Sequence, residues 1–364
     1  MIFTCDKNIF CEEVNILSKG VAVKSSIPAL EGIKLELNGG ILSMTAYNLE
    51  IGIRTEMEVS SGDSGSCVIN AKLLADISRR MPGDELKFSV SENKSVKINS
   101  GNAEYTLAVL PVGDFPDLPK IEGEESFEIT QQLLKSMLIQ TVFAVSTTDA
   151  KPVLSGVLFE ISDGNFNMVA MDGYRLALRK EKIPAERNFY FIVPYKALND
   201  IKSILKDEGD VVLSVDARHA KFEIDGYTFY TRLIDGQYHN YKANITDGQK
   251  TEIIVGTNEF MGMLSRCGLL VSDKAKAPVK CKIDGGEMLI TCETVLGKVE
   301  DSVEVTQNGE EVLIGFSDRF MLDAIKASET EKVRIFFPEK GRPIKIMPLM
   351  GDSFIYIIMP VIIS

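Results

Sequence analysis

The chain has little of what catalysis with a metal or a nucleotide usually requires. Histidine occurs only twice in 364 residues, as His219 and His239, and neither belongs to an HExxH motif. There is no GxxxxGKS/T loop and no GxGxxG motif, so nucleotide hydrolysis lacks its usual phosphate cradle. The stretch 172–175 (Asp-Gly-Tyr-Arg) could supply an acid and a base, but Asp-Gly between two strand-like runs first indicates a turn. We therefore predict that the chain is not an enzyme.

Cysteine motifs are absent as well. No CxxC occurs, and no cysteine follows a histidine at a zinc-like spacing. We expect no metal, no cofactor and no disulfide. The thiols should be reduced and mostly buried at Cys5, Cys11, Cys67, Cys267, Cys281 and Cys292.

Long hydrophobic runs are missing too. The longest, IYIIMPVII at 355–363, falls well short of the about 18 apolar residues that a membrane span needs. The first residues, MIFTCDKNIF, carry an acid and a lysine early and do not resemble a signal peptide. These features predict a cytoplasmic protein with no membrane partner.

Basic residues are outnumbered, with 40 lysines and arginines against 52 acidic residues and a net charge of −12. Phosphate binding needs clustered lysine and arginine, so the sum alone argues against nucleic acid. A basic surface within an acidic protein remains possible, because the distribution of charge decides and not its total.

What the chain does have is a long internal repeat. A leucine–isoleucine pair recurs at intervals of 124 residues, as Leu74/Ile77, Leu198/Ile201 and Leu322/Ile325. The surrounding segments are similar: SCVINAKLLADI, YFIVPYKALNDI and LIGFSDRFMLDAI. This period is the size of a small domain and far longer than a solenoid unit. We predict three copies of one domain, at 1–122, 123–250 and 251–364.

Each copy is predicted to contain two amphipathic helices and several strands in which apolar and polar residues alternate. The predicted helices are 8–19, 71–81, 131–145, 195–206, 258–271 and 318–327. The predicted strands are 86–90, 104–110, 157–161, 211–215, 220–224, 227–233 and 333–337. Two helices against antiparallel sheets, three times over, is an α+β architecture with more strand than helix.

The predicted helices carry basic residues. Lys72, Arg79, Lys196 and Lys206 lie away from the apolar stripes, Arg80 and Lys202 flank them, and Lys135, Arg266 and Lys326 lie on the remaining helices. Exposed helix faces commonly carry lysine for solubility alone, and these helices also hold Asp76, Asp200 and Asp323. If all six faced one way, they would form a basic surface in an acidic protein.

Four stretches resemble one family. LAVLPVGDFPDLP (107–119), FAVSTTDAKPVLSGVLFEI (143–161), MVAMDGYRLAL (168–178) and IIMPV (357–361) are similar to the bacterial β sliding clamp, the processivity subunit of DNA polymerase III. The resemblance covers the whole chain in length, repeat and order of motifs. It implies the DNA clamp fold, in which two three-domain chains form a head-to-tail ring around duplex DNA.

The same resemblance implies three sets of contact residues. DNA would meet the helix cations above together with Lys24, Lys151 and Thr148, the last two in the loop 147–152. The ring interface would join Tyr105 and Leu107 to Leu269 and Leu270 of the next chain, although alternation alone would place Tyr105 and Leu107 in the core. A cleft for partner peptides would use Leu154, Gly173, Tyr174, Arg175, Leu176, Ser317, Phe320, Pro343, Ile357, Met359, Pro360 and Val361.

The sequence departs from the family pattern at a few of these places. Met171 stands where threonine is common, and Tyr174 where histidine is common. The tail ends Pro-Val-Ile-Ile-Ser, so Ile362, Ile363 and Ser364 replace the usual arginine-containing end. A change in peptide preference is the expected consequence.

The partners implied are double-stranded DNA, a second copy of the chain, the replicative polymerase catalytic subunit, the clamp loader, and other polymerases and repair proteins with short clamp-binding peptides. Two other classes stay open on the residues alone. One is a pseudo-symmetric scaffold that binds peptides without DNA, and the other is an enzyme with an unfamiliar motif.

Overall fold

A computed structural model describes residues 1–91, 95–121, 125–148, 151–183, 188–245, 249–271, 278–338 and 342–363. Within these ranges all six predicted helices form. They are α1 (Lys7–Leu17), α2 (Ala71–Arg80), α3 (Gln131–Val142), α4 (Tyr195–Lys202), α5 (Thr257–Gly268) and α6 (Asp318–Ala327).

Strands outnumber helices, as predicted, and every predicted strand is present. In chain order they are β1 (Ile2–Asp6), β2 (Gly32–Asn38), β3 (Ile41–Tyr47), β4 (Ile51–Glu58), β5 (Ser60–Ser61), β6 (Gly65–Asn70), β7 (Glu85–Ser91), β8 (Ser95–Ser100), β9 (Ala103–Ala108), β10 (Glu125–Thr130), β11 (Gly156–Ser162), β12 (Asn165–Met171), β13 (Arg175–Lys182), β14 (Phe189–Pro194), β15 (Asp210–Val215), β16 (His219–Ile224), β17 (Tyr227–Arg232), β18 (Gln249–Gly256), β19 (Val279–Asp284), β20 (Glu287–Thr294), β21 (Gly297–Glu304), β22 (Thr306–Gly309), β23 (Val312–Phe316), β24 (Lys332–Pro338), β25 (Ile344–Pro348) and β26 (Phe354–Ile358).

Five of the six helices end one to four residues earlier than predicted, and in α4 and α3 a side-chain hydroxyl bonds to a carbonyl group of the helix. After α4, the Ser203 hydroxyl donates to the Asp200 carbonyl (2.6 Å), and a turn replaces the predicted helix to 206. In α3, Thr141 Oγ1 donates to the Met137 carbonyl (2.7 Å), and the helix stops at Val142 instead of 145. Such bonds compete with regular helix bonding.

The chain divides into two units, Met1–Leu134 with Asn199–Leu233 and Lys135–Leu198 with Ile234–Ser364. The first unit holds a five-stranded sheet, β5-β1-β7-β8-β9, and an eight-stranded sheet, β10-β15-β16-β17-β4-β3-β2-β6. Helices α1 and α2 pack on each other within this unit.

The second unit repeats the scheme. Its nine-stranded sheet has the order β14-β11-β12-β13-β26-β25-β24-β18-β22, and its four-stranded sheet has the order β21-β20-β19-β23. Helices α5 and α6 pack on each other. Every strand pair formed by the described residues is antiparallel.

Both large sheets cross a predicted domain boundary. β17 of the predicted second domain pairs with β4 of the first, from Thr228 opposite Arg54 to Thr231 opposite Ile51. In the same way β26 of the third pairs with β13 of the second, from Arg175 opposite Ile358 to Arg179 opposite Phe354. Backbone hydrogen bonds therefore join successive repeats into continuous sheets. The boundary near 122 itself lies outside the described residues.

The third repeat deviates by one residue in its second helix. Met321 is buried where Leu322 was predicted to match Leu74, and Leu322 is half-buried. The helix caps explain the shift. The Asn70 side chain caps α2 four residues before Leu74, and the Ser317 side chain caps α6 four residues before Met321.

The burial of the cysteines agrees with the sequence-based expectation. All six are free thiols, and all but the half-buried Cys11 are buried. Burial raises the pKa of the Cys67 thiol to about 12, which keeps it protonated and unreactive. No helix in the described ranges is both long and apolar enough to cross a membrane.

The corrected register of α6 can be tested with a pair of substitutions. Met321→Ala should lower the free energy of unfolding by about 2–4 kcal/mol, because it empties a fully buried position. Leu322→Ala should cost only about 1 kcal/mol, as is usual for a partly exposed site. Urea unfolding followed by circular dichroism measures both, and a larger loss for Leu322→Ala would contradict the register.

Candidate functional site

The turn before β13 holds the central residues of the predicted peptide site. Asp172 Oδ1 accepts the backbone N–H of Tyr174 (2.9 Å) and of Arg175 (3.0 Å). Gly173 has a φ of +93°, a conformation that favours glycine. The stretch 172–175 is therefore the turn that its Asp-Gly pair predicts.

Arg175 is the most constrained residue of this turn, with 8% of its surface exposed. Its Nε donates to Asp172 Oδ2 (3.0 Å), and its Nη1 donates to Asp323 Oδ2 in α6 (2.6 Å). The guanidinium also lies over the Phe320 ring, 4.5 Å from its centroid. These two bonds fix the turn against α6, and the contact of Arg175 with a peptide stays a prediction.

Two aromatic rings form the rim of the site. Tyr174 stacks on Phe320 with ring centroids 6.5 Å apart, and Tyr174 is 66% exposed. The N–H of Met359 donates to the Tyr174 carbonyl (2.8 Å), which ties the chain after β26 to the turn. Tyr174, Phe320 and Met359, all predicted cleft residues, therefore lie close together.

Three of the predicted cleft residues are buried in the core. Leu154, Leu176 and Ile357 belong to one buried cluster with Met171, and Leu176 lies opposite Ile357 in the sheet. These three residues support the surface above them but expose little of their own surface to a peptide. Met171 fills a core position, which gives its departure from the family pattern a packing role.

Two tyrosines in this cluster were not predicted. Tyr238 donates to the Val169 carbonyl (3.3 Å), and Tyr241 donates to Glu160 Oε2 (2.6 Å). Burial would raise the pKa of Glu160, but hydrogen bonds from Tyr241, Asn167 and Lys242 outweigh it and lower that pKa. The polar sequence around His239, which is itself exposed, concealed both tyrosines.

The remaining predicted cleft residues lie around the tail. The Ser317 hydroxyl caps α6, and Pro343 and Pro360 are half-buried. The N–H of Val361 donates to the Gly315 carbonyl (2.8 Å), so the tail lies along β23. A groove of about 800 Å³ adjoins it, lined by β23, Thr251, Pro338 and residues 359–363. Ile362 and Ile363 thus belong to this groove, and Ser364 lies outside the described residues.

Most of the predicted DNA contacts are solvent-exposed cations. This group comprises Lys24, Lys72, Arg79, Arg80, Lys151, Lys196 and Lys326. Lys135 and Lys202 are half-buried, and Thr148 is exposed with its hydroxyl 3.1 Å from that of Ser146. Asp149 and Ala150 of the same loop lie outside the described residues.

At least three of the predicted cations have acidic partners: Arg79 lies 3.9 Å from Asp76, and two others lie closer to theirs. Lys206 follows α4 and lies 2.9 Å from Asp225, and Arg266 in α5 lies 2.5 Å from Asp301. These carboxylates offset the positive charge that a phosphate would meet. Lys206 and Arg266 are therefore weaker candidates for DNA contact than the exposed group.

The predicted interface residues lie at surfaces and not in the core. Tyr105 is exposed and Leu107 half-buried on β9, and Leu269 after α5 is 80% exposed with Leu270 half-buried beside it. Among the described strands, β9 and β21 each have a neighbour on one side only. An unpaired strand edge is a ready template for pairing with another chain.

Comparisons with known proteins agree along the whole chain. Residues 1–119, 128–240 and 244–362 match the N-terminal, central and C-terminal domains of the DNA polymerase III beta subunit. The chain is 32% identical to the beta sliding clamp of Bacillus subtilis and 33% identical to that of Halalkalibacterium halodurans, over 99% of each chain in both cases.

Solved structures give the same result. The crystal structure of the DNA polymerase sliding clamp from Bacillus subtilis has a TM-score of 0.95 at 32% identity, and each chain is fully covered. The DNA polymerase III beta subunit of Thermotoga maritima has a TM-score of 0.91 at 26% identity, again over the full length of both chains. The family is that of a non-catalytic processivity subunit, which confirms the prediction that the chain is not an enzyme. By these matches the chain belongs to the DNA polymerase III beta subunit family, the bacterial beta sliding clamps.

Proposed function

We propose that this chain acts as a DNA sliding clamp: two copies close head to tail around duplex DNA and tether the replicative polymerase to it. The observation that carries the proposal is the match of all three thirds to the three domains of one clamp family, in order and over the full length. Its domains are 1–122, 123–250 and 251–364. The proposed location of the protein is the cytoplasm, where bacterial DNA is replicated.

Ring closure follows from the way the repeats are joined. β4, β13 and β21 are each eight residues long and occupy equivalent places in the three repeats. β4 pairs with β17, and β13 pairs with β26. β21 in the third repeat and β9 in the first are the strands equivalent to these, and both are sheet edges, so β21 of one copy would pair with β9 of the next. A head-to-tail contact of this kind closes into a ring when its rotations sum to a full turn.

The DNA contact should be weak and independent of sequence. The exposed cations Lys24, Lys72, Arg79, Arg80, Lys151, Lys196 and Lys326 would meet phosphates, which carry no sequence information. The net charge of −12 opposes tight binding elsewhere on the molecule. Encirclement then holds the DNA, and loose phosphate contacts permit sliding.

The surface formed by Tyr174, Phe320 and Met359 would receive short peptides from partners. It combines exposed aromatic surface with a flexible methionine, and both suit the binding of apolar side chains. The partners proposed are the polymerase catalytic subunit, the clamp loader, and other polymerases and repair proteins.

The ring interface is tested by Leu269→Asp. This exposed leucine would be buried between copies, so a carboxylate there should separate the dimer into monomers near 40.2 kDa. Sedimentation equilibrium gives the mass. Met350→Asp, at another highly exposed apolar residue, is the matched control and should leave the dimer intact. A Leu269→Asp dimer as tight as the wild type would mean that the interface is misplaced.

The peptide site is tested by Phe320→Ala together with Met359→Ala. Binding of a peptide from the replicative polymerase subunit of the same genome should weaken by about tenfold or more, the usual loss when anchoring side chains are truncated. Fluorescence polarisation measures the affinity, and sedimentation should still give a dimer.

The control is Leu349→Ala together with Met350→Ala, two exposed apolar residues of another hairpin. This variant should bind the peptide like the wild type. Unchanged affinity in the Phe320/Met359 variant, or its dissociation into monomers, would contradict the assignment of separate peptide and interface sites.

A further inference from the structure

A cavity of the second unit lies outside the sites described above. It has a volume of about 790 Å³ and is bounded by the β11–β12 turn, the end of β13, the β25–β26 hairpin and the turn Tyr241–Asn244. Pockets that bind ligands commonly measure about 300–1,000 Å³. We call it the outer cavity. Among the described residues that line it, none was predicted to contact DNA, a short peptide or a second copy.

The floor of the outer cavity continues the sheet beneath the proposed peptide surface. Leu178 lies opposite Ile355 where β13 pairs with β26. The adjacent pair on the same face is Leu176 opposite Ile357, and all four residues belong to one buried cluster. Tyr174 precedes Leu178 by only four residues, which span about 13 Å in an extended chain. A partner held at Tyr174 is therefore close enough to reach the outer cavity with a neighbouring segment.

Hydrogen bonds hold the walls of the outer cavity in place. The Tyr241 hydroxyl donates to Glu160 Oε2 (2.6 Å), and Lys242 Nζ donates to Glu160 Oε1 (3.2 Å). At the β25–β26 hairpin, Lys180 Nζ donates to Asp352 Oδ2 (2.6 Å). The walls are thus fixed before a ligand arrives, and a site formed in advance spares the cost of ordering these groups on binding.

The outer cavity is apolar at its floor and balanced in charge. Its lining includes three lysines and three acidic residues, Lys180, Lys182, Lys242, Asp163, Glu181 and Asp352. A nucleic acid needs an excess of lysine and arginine, so this balance argues against it as the occupant. Met350 also lines the cavity and is 83% exposed. A flexible methionine beside an apolar floor favours an apolar side chain.

We propose that the outer cavity is a second docking site for a partner that the surface of Tyr174, Phe320 and Met359 already holds. Its occupant is a polypeptide segment of that partner outside the short peptide, which places an apolar side chain against Met350 and over Leu178. This inference rests on the proposed function and extends its peptide site. The second contact is weak by itself, but it acts on a tethered segment at high effective concentration and so lengthens the stay of the whole partner.

Two variants of the outer cavity distinguish the whole partner from its short peptide. Met350→Asp replaces the exposed apolar side chain of the lining by a carboxylate. Ser353→Phe fills the cavity from an exposed serine of its lining. Ser64→Phe, at an exposed serine of the first unit, is the matched control. Dissociation constants are measured for the short peptide and for the whole replicative polymerase subunit of the same genome.

The whole subunit should bind Met350→Asp and Ser353→Phe about tenfold more weakly than the wild type, the usual loss when an anchoring contact is removed. The short peptide should bind both variants like the wild type, because it does not reach the outer cavity. Ser64→Phe should bind both ligands like the wild type. Melting curves establish whether Ser353→Phe is folded, and Met350→Asp, at a highly exposed position, decides the question if it is not.

Photo-crosslinking tests the contact directly. Met350→Cys is combined with Cys11→Ser, which removes the half-buried native thiol, and a benzophenone maleimide is attached to the new cysteine. Illumination should join this variant to the whole subunit. Excess short peptide should suppress the product, because the outer cavity acts on a partner that the peptide surface holds. The same label at Ser64→Cys, also with Cys11→Ser, is the control and should give no product.

The outcomes separate this inference from the proposed function. Whole-subunit affinity that is unchanged in Met350→Asp, with no crosslinked product, would overturn the second docking site and leave the peptide surface standing. An equal loss for the short peptide would also overturn it, because the outer cavity would then be part of the peptide surface itself. A wild type that binds neither the short peptide nor the whole subunit would overturn both the inference and the proposed peptide site.

Discussion

Strand pairing between successive repeats is the interaction on which the rest of the structure depends. The joint of β4 with β17 and that of β13 with β26 turn separate sheets into continuous ones. The second joint also places Leu176 opposite Ile357 and brings the turn at Tyr174 to α6, where we propose that partner peptides bind. Because β21 and β9 are edge strands, the proposed ring closure would repeat an interaction that the chain already makes twice.

The charge of the chain and the topology of the proposed ring would contribute differently to holding DNA. An acidic chain with a few exposed cations on its helices is poorly suited to tight phosphate binding, which needs many clustered lysines and arginines. It is well suited to a ring, in which closure retains the DNA and weak contacts let it move. If Lys206 and Arg266 contact DNA, their acidic partners would weaken those contacts further.

Local patterns in the sequence predicted the helices and strands. The site was predicted only in part, because it depends on contacts between residues far apart in the chain. Periodicity located all six helices, and the Asp-Gly pair predicted the turn at 172–175. The repeat misplaced Leu322 by one residue, since two adjacent apolar residues fit the buried position and only the Ser317 cap distinguishes them. The bond from Arg175 to Asp323 joins residues 148 positions apart, beyond the reach of local periodicity. Tyr238 and Tyr241 were missed because a polar loop gives no sign of burial.

Retention on circular DNA tests the central claim most directly. The protein is loaded onto nicked circles with its cognate loader and ATP, free protein is removed, and the circle is then cut once. Encirclement predicts that the protein stays on the closed circle and leaves the linear product through its ends. Protein that remains on linear DNA with free ends in moderate salt would contradict the account, because direct binding and not topology would then hold it.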